Sequence, residues 1–369
     1  MLRHRAATTA LLLIVFTLAF STVVQASSPG DAAAQALAWL KTQQNSDGGF
    51  GSGFGPGSAV GPTTDAIIAI ASGGQDVSTW TNGDRSLRSP IDYLRGQVEA
   101  GNVRLPGEIA KAILALIATG QDPHAFGGRD LVADLNGHFN TASGMFSSSV
   151  YDQALAILAL RNAAEPAPDA AVSALLGAQT VEGGWAFDGS TIAGAADSNT
   201  TSLAVQALVA AGRKDDTGRA LDYFRRVQNA DAGWTYQVPS AFGTDTDANS
   251  TALGIQAILA GGDSASNWST GASDPIGALL SLQNADGSFS FNRVFPGANT
   301  LATLQAIPAL TGDTLVRVRV VPMSSAAAPT LLPVAGGAID ALPVAALGAI
   351  LIAAGVLMRR RACTHRTSN

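Results

Sequence analysis

The sequence predicts an all-α fold: an α6/α6 toroid, a double-layered ring of six helical hairpins. Three observations predict it. First, a polar loop running into an apolar helix recurs along the chain. The helix starts fall near residues 64, 108, 151, 199, 249 and 299, so successive spacings are 44, 43, 48, 50 and 50 residues. A fixed period of that size is about one helical hairpin, and stacking such units buries faces that none could bury alone. Second, these helices are apolar nearly all round, as in Ala110–Ala118 and Leu155–Leu160, and a helix without a polar face is buried on every side. Third, the helices between them are amphipathic. In Ala32–Gln44, Trp39 and Leu40 point inward and Lys41 outward. Six buried helices inside six amphipathic ones close into a ring.

At the N-terminus, Arg3, His4 and Arg5 precede an apolar run from Ala10 to Phe20 and then Val24-Gln-Ala26. That order reads as a secretory signal peptide over 1–26, cut after Ala26. The ring occupies 27–312. Its first helix closes on Gln43-Gln-Asn-Ser-Asp-Gly-Gly-Phe50. Later versions of this turn are Gln179-Thr-Val-Glu-Gly-Gly-Trp185, Gln228-Asn-Ala-Asp-Ala-Gly-Trp234 and Gln283-Asn-Ala-Asp-Gly-Ser-Phe289. Asn136-Gly-His-Phe-Asn-Thr-Ala-Ser-Gly-Met-Phe146 is a degenerate version, and Ile91–Gln97 ends a helix without a clear aromatic partner. The glycines permit positive φ in a tight turn, and the Asn-x-Asp segment supplies local side-chain-to-backbone bonds. The glutamine is expected to stack on the aromatic ring, bond the backbone of a neighbouring helix end, and so stitch adjacent hairpins together.

After the ring, Leu315-Val-Arg-Val-Arg-Val-Val321 alternates apolar and basic residues and reads as one terminal strand, 313–323, packed on the toroid. A small-residue linker over 324–340 contains Leu332-Pro-Val-Ala-Gly336. The apolar segment 341–358 is long enough to span a bilayer. Arg359-Arg-Arg361 opens a basic tail, 359–369, that would stay in the cytoplasm. This layout resembles a cell-wall sorting signal, with Ala335 standing where that signal has threonine. The chain is therefore expected to be exported and held at the membrane or wall, with the toroid outside.

Only 14% of the chain is charged, and the formal net charge of −6 argues against nucleic acid as a partner. The one cysteine, Cys363, lies near the C-terminus, so the ring has neither a disulfide nor a cysteine-based zinc site. No metal or cofactor is expected, and the toroid is expected to be a monomer.

The stretch with most chemical promise is Asp245-Thr-Asp-Ala-Asn-Ser-Thr-Ala-Leu-Gly-Ile-Gln-Ala-Ile258. Near copies are Asn199-Thr-Thr-Ser-Leu-Ala-Val-Gln-Ala-Leu208 and Asn299-Thr-Leu-Ala-Thr-Leu-Gln-Ala-Ile307. Asn249 or Ser250 is the expected N-cap. Alternatively, and most plainly, Asp245 and Asp247 cap the helix and complement its dipole, as Asp197 would before Asn199. Asp245-x-Asp247-x-Asn249 also has the spacing of half a calcium loop, but Ser250 and Gln256 stand where that loop needs Gly and Glu. The inner-helix starts gather at one rim of the ring. There Thr64, Asp65, Tyr151, Asp152, Asn199, Asn249 and Asn299 are expected to bind a ligand.

The Gln-x-x-x-Asp/Glu-Gly-Gly/Ser-Trp/Phe turns resemble the prenyltransferase and squalene-oxidase repeat. That repeat occurs in triterpene cyclases, protein prenyltransferase β-subunits and the α-domain of intrinsic-factor-like cobalamin carriers. The resemblance covers about 31–312 and implies the α/α toroid, a fold that hosts unrelated activities. Protein prenyltransferases hold zinc with Asp, Cys and His. The ring has no cysteine, which also removes the complement-type thioester domains, and His124 and His138 match no metal-ligand pattern. Triterpene cyclases protonate an alkene or epoxide with the middle Asp of Asp-x-Asp-Asp-Thr-Ala, and so weak a base needs a poised acid. The resemblance implies Asp247 as general acid with Asp245 as its partner. Against it, Ala248 occupies the motif's fourth position, Thr251-Ala252 comes two residues late, and a chain only 6% aromatic offers few rings for carbocations. Cobalamin carriers add a β-domain, for which only 315–321 remains, so cobalamin could bind only at the mouth. The favoured reading is a surface-held toroid that binds a small or apolar ligand, or another surface molecule, at its mouth. A terpene-cyclase-like enzyme and a structural or adhesion spacer are the alternatives.

Overall fold

The computed structural model describes residues 28–324, apart from 54, 56, 82–87 and 242. The signal peptide, nearly all of the linker, the sorting-like motif and the apolar segment 341–358 lie outside the described residues. Within them, no helix is long and apolar enough to cross a membrane. Twelve α-helices are described: α1 (Pro29–Thr42), α2 (Val60–Ser72), α3 (Pro90–Glu99), α4 (Pro106–Ala118), α5 (Leu131–Gly137), α6 (Val150–Asn162), α7 (Asp169–Gly177), α8 (Ser198–Ala210), α9 (Gly218–Val227), α10 (Ala248–Ala260), α11 (Pro275–Leu280) and α12 (Thr300–Thr311).

The even-numbered helices form the inner ring. Each packs on the next, and α12 packs back on α2. They carry many fully buried alanines, such as Ala112, Ala156, Ala204, Ala257 and Ala306, small enough to let neighbouring backbones approach. The outer helices do not pack chiefly on the inner helices they lead into. α3 packs on α2, α5 on α4, α7 on α6 and α11 on α10, while α9 sits between α8 and α10. The first helix, α1, has no predecessor and packs on α12. The hairpins read from the sequence are therefore offset by one element in space, and the ring closes because the first helix fills the last place.

The glutamine turns do the stitching. Gln44 Nε2 donates to Gly48 O at 3.0 Å within its own turn and to Trp80 O at 2.8 Å ahead of α3. Gln228 does the same with Ala232 O and Trp268 O, ahead of α11. Gln283 donates to Gly287 O and to Ala32 O of α1, which ties the last turn to the first helix. In the degenerate third turn the missing glutamine is replaced from elsewhere. Gln153 of α6 donates to Gly144 O and to Ala171 O of α7, the same two bonds made from a different point of the chain.

The inner helices grip the turns in return. Thr63, Thr201, Thr251 and Thr303, each four residues past its N-cap, accept the backbone N–H of Phe50, Trp185, Trp234 and Phe289 at 2.9–3.0 Å. In α6, Gln153 holds this position too and accepts from Phe146 N at 2.8 Å. A turn glycine must approach the next outer helix closely. A Cβ on Gly183, at φ +95°, would lie 2.4 Å from Arg219 O. In the fifth turn this place is taken by Ala232, held at φ +71°.

The terminal segment forms no strand, only a bridge between Thr314 and Arg317. It does pack on the toroid, across the face made by the inner-helix C-termini. Asn162 Nδ2 donates to Leu315 O, Val318 N to Asn162 Oδ1, Leu315 N to Gln206 Oε1 and Val321 N to Ala118 O. The side-chain amides at the helix ends satisfy this segment's backbone, so no second strand is needed.

Candidate functional site at the toroid mouth

The six inner helices keep a common register. Counting from each N-cap, the sixth residue is Asp65, Lys111, Leu155, Leu203, Leu253 or Gln305. All six line one axial void of about 50 Å³, closed from the far face by Leu315 and Pro308. Ligand-burying pockets run to several hundred Å³. The axis is therefore nearly filled, and the accessible surface is the mouth above it. The ring nearer the mouth is the second residue past each cap: Gly61, Gly107, Tyr151, Asn199, Asn249 and Leu301.

Tyr151 is the hub of the mouth. Lys111 Nζ lies 2.8 and 2.9 Å from the two Asp65 oxygens, and these side chains are 19% and 16% exposed. Burial alone would lower the Lys111 pKa. Asp65 first, with Tyr151 and Asp152 beside it, outweighs burial and keeps the ammonium charged. The Tyr151 phenol is pushed up by burial, with Lys111, Asp65, Asp152 and Asp197 all acting on it. Asp152 accepts from Ser147 Oγ at 3.1 Å. Its carboxylate sits against the first turn of α4, where a Cβ on Gly107 would come within 2.3 Å of Asp152 Oδ1. Burial raises its pKa as well.

Asp197 and Asp247 are both N-caps, 2% exposed. Asp247 accepts from Ser250 N at 2.7 Å and Ser250 Oγ at 2.8 Å, and Asp197 from Thr200 N at 2.7 Å and Phe187 N at 3.0 Å. Desolvation wins over these bonds, pushing Asp197 up to about 7 and Asp247 up to about 6. Above Asp197 the Tyr236 ring is 44% exposed and Phe187 39%. Phe187 packs at 6.1 Å from Tyr151. Burial, then the Asp197 carboxyl, pushes the Tyr236 phenol up.

Several expected positions move. Of the two cap readings for α10, Asp247 holds and Asn249 or Ser250 does not, because a bridge to Asn292 holds Asp247 extended at φ −116° and ψ 151°. Asn249 lies inside the helix and donates to Gln305 Oε1 at 3.0 Å. Asp245 is exposed in the loop before the cap, with no hydrogen bond to Asp247 among the described residues. Thr64 is fully buried and donates to Gly61 O, away from the rim. α2 starts at Val60, so Thr63 takes the conserved-register position. Asn299 caps α12, accepting from Ala302 N at 2.9 Å. The structure thus gathers Asp65, Tyr151 and Asp152 around one centre and sets Asn199 and Asn249 in the ring above the void. It adds Lys111, Gln305, Phe187 and Tyr236, which the sequence reading missed. Lys111 had a signal: it is the one charge within an otherwise apolar helix interior, Ile109–Ala118. Among the described residues, no group of three His, Cys, Asp or Glu side chains could hold a metal ion.

No family model matches the chain, and no curated protein is similar to it in sequence. Among solved structures it is similar to an arginine-to-alanine variant of the type II terpene cyclase MstE from Scytonema, in complex with the substrate geranylgeranyl dihydroxybenzoate. That match has a TM-score of 0.54 and 14% identity, over 77% of this chain and 97% of the other. A glycosidase variant in complex with glucose gives a TM-score of 0.51 and 14% identity, over 78% and 97% of the two chains. At such identities the likeness is one of fold. The chain has the α/α toroid of these two structures.

Proposed function

We propose that this chain is an exported binding protein that takes a small ligand at the mouth of its toroid and performs no chemistry on it. The observation that carries this is the convergence of Asp65, Lys111, Asp152 and Asp197 on Tyr151, above an axis filled to a void of about 50 Å³. Such a site offers contacts at a concave surface and no enclosed chamber. The terminal segment supports a location. It leaves the ring at the face opposite the mouth, where Ser324 N donates to Asp76 Oδ2 at 2.7 Å. With 341–358 as membrane anchor, the mouth would point away from the membrane.

A terpene-cyclase-like activity is the second reading. It is favoured by Asp247, a buried carboxyl that keeps its proton up to about pH 6. Against it, both carboxyl oxygens already serve Ser250 as a helix cap.

Mass spectrometry of small molecules released from the purified full chain tests the binding reading. One species should accompany the wild type and be lost from Tyr151→Ala. Conversion of squalene or geranylgeranyl diphosphate to a cyclic product, abolished in Asp247→Asn, would replace binding with catalysis.

A further inference from the structure

Resting on the mouth as a binding site, we infer that its ligand presents a positively charged ammonium group to the cluster of Tyr151, Asn199, Phe187 and Tyr236. Two independent features point there: the balance of donors and acceptors, and the aromatic surface.

One acceptor at the mouth is left without a donor. Asn199 Oδ1 is buried with no hydrogen-bond partner. It occupies the same register as Tyr151 and Asn249 on the helix between theirs. Asn249, by contrast, has given its amide to Gln305. A buried acceptor left unpaired costs about 1–3 kcal/mol, which a donor on the ligand would recover. Two local donors are committed elsewhere. The Lys111 ammonium faces both oxygens of Asp65, and the Ser147 hydroxyl is on Asp152. Lys111 matches Asp65, which leaves Asp152 and, above about pH 7, Asp197 as unmatched negative charges acting on Tyr151. An anionic ligand would be repelled. A neutral apolar one would desolvate Asp152 further and leave Asn199 unpaired.

The aromatic rings complete the case. Phe187 and Tyr236 are large rings left partly in water beside a carboxyl group. Ring faces attract cations, ammonium groups included. The Asp197 carboxyl, charged above about pH 7, adds charge complementarity without closing the site. A protonated amine that donates to Asn199 Oδ1 and lies across these rings satisfies every feature together.

Calorimetric titration of the full chain with choline, n-butylammonium, the neutral choline isostere 3,3-dimethylbutanol and butyrate tests this. The ammonium probes should bind, with affinity that falls as salt rises, and the neutral isostere should bind roughly tenfold more weakly. Tyr236→Leu, at an exposed ring, should weaken the ammonium probes by a similar ~tenfold factor with an unchanged melting temperature. Asn199→Leu should do the same for n-butylammonium. Equal binding of the neutral isostere, tighter binding of butyrate, or no binding of either ammonium probe overturns the assignment. A small molecule still co-purifying with the wild type and lost from Tyr151→Ala would then leave the mouth as a binding site for another chemistry. Absence of both overturns the mouth itself.

Discussion

Replacing Asp197 by Asn should flatten the protein's response to acid. The side chain caps α8 and accepts from Thr200 N and Phe187 N, and asparagine caps as well as aspartate does. The substitution removes the charge and, because an amide has one accepting oxygen, the acceptor for one of these two N–H groups. Burial raises the carboxyl from its ordinary 3.8 to about 7. The sign follows from linkage: the folded state takes up the proton first, so this stability is fully present below about 3.8 and is lost as pH rises through about 7. Between pH 7 and pH 5 the two units of difference amount to about 3 kcal/mol. Asp247, pushed up to about 6, acts in the same direction. Asp130, Asp263 and Asp286, whose pKa values are lowered, act oppositely, but only as pH falls towards 3.8 and below. Urea unfolding of wild type and Asp197→Asn at steps from pH 5 to pH 8 reads the effect. The wild type should be more stable at pH 5 than at pH 8, and the variant should lose about 3 kcal/mol of that difference. A wild type that gains stability towards pH 8, or two parallel profiles, would refute the reasoning.

Ala232→Gly should stabilise the protein by about 1 kcal/mol in chemical denaturation, because alanine at positive φ is strained where the sister turns carry glycine. Thr251→Val keeps the shape but leaves the buried Trp234 N–H without its acceptor, a cost of about 1–3 kcal/mol visible in the tryptophan-monitored unfolding midpoint. Gln283→Leu removes the bonds to Ala32 O and Gly287 O. It should cost about 2 kcal/mol and speed hydrogen exchange in α1 more than in α4.

The ring was legible because its signal is repeated. Period, apolar inner helices and glutamine turns each recur, so an error in one copy is corrected by the others. The mouth lacked that protection. Its chemistry depends on register, and a helix start misplaced by a few residues changes which side chain faces the axis. Thr64 was placed at the rim on such an error, while Lys111 was passed over as one charge in an apolar run. Asp247 was one of two cap readings open for α10, and it prevails over Asn249 because a backbone bridge from a distant turn holds it extended, which no local sequence rule reports. Phe187 and Tyr236 follow the turn aromatics Trp185 and Trp234 by two residues. That spacing was visible, but their partial exposure was not.

Because α1 docks on α12, the toroid is a circle and not a stack. An open array of repeats can lose or gain a unit at its end and remain folded. This one cannot: a seventh hairpin would leave no place for the first helix, and loss of the sixth would leave it no partner. In a chain synthesised from its N-terminus, α1 emerges with Leu37 and Leu40 unburied and waits for the last inner helix to arrive. Closure is then a single late event, joining segments some 250 residues apart in one step, and until it happens the apolar face of the first helix is open to whatever else meets it.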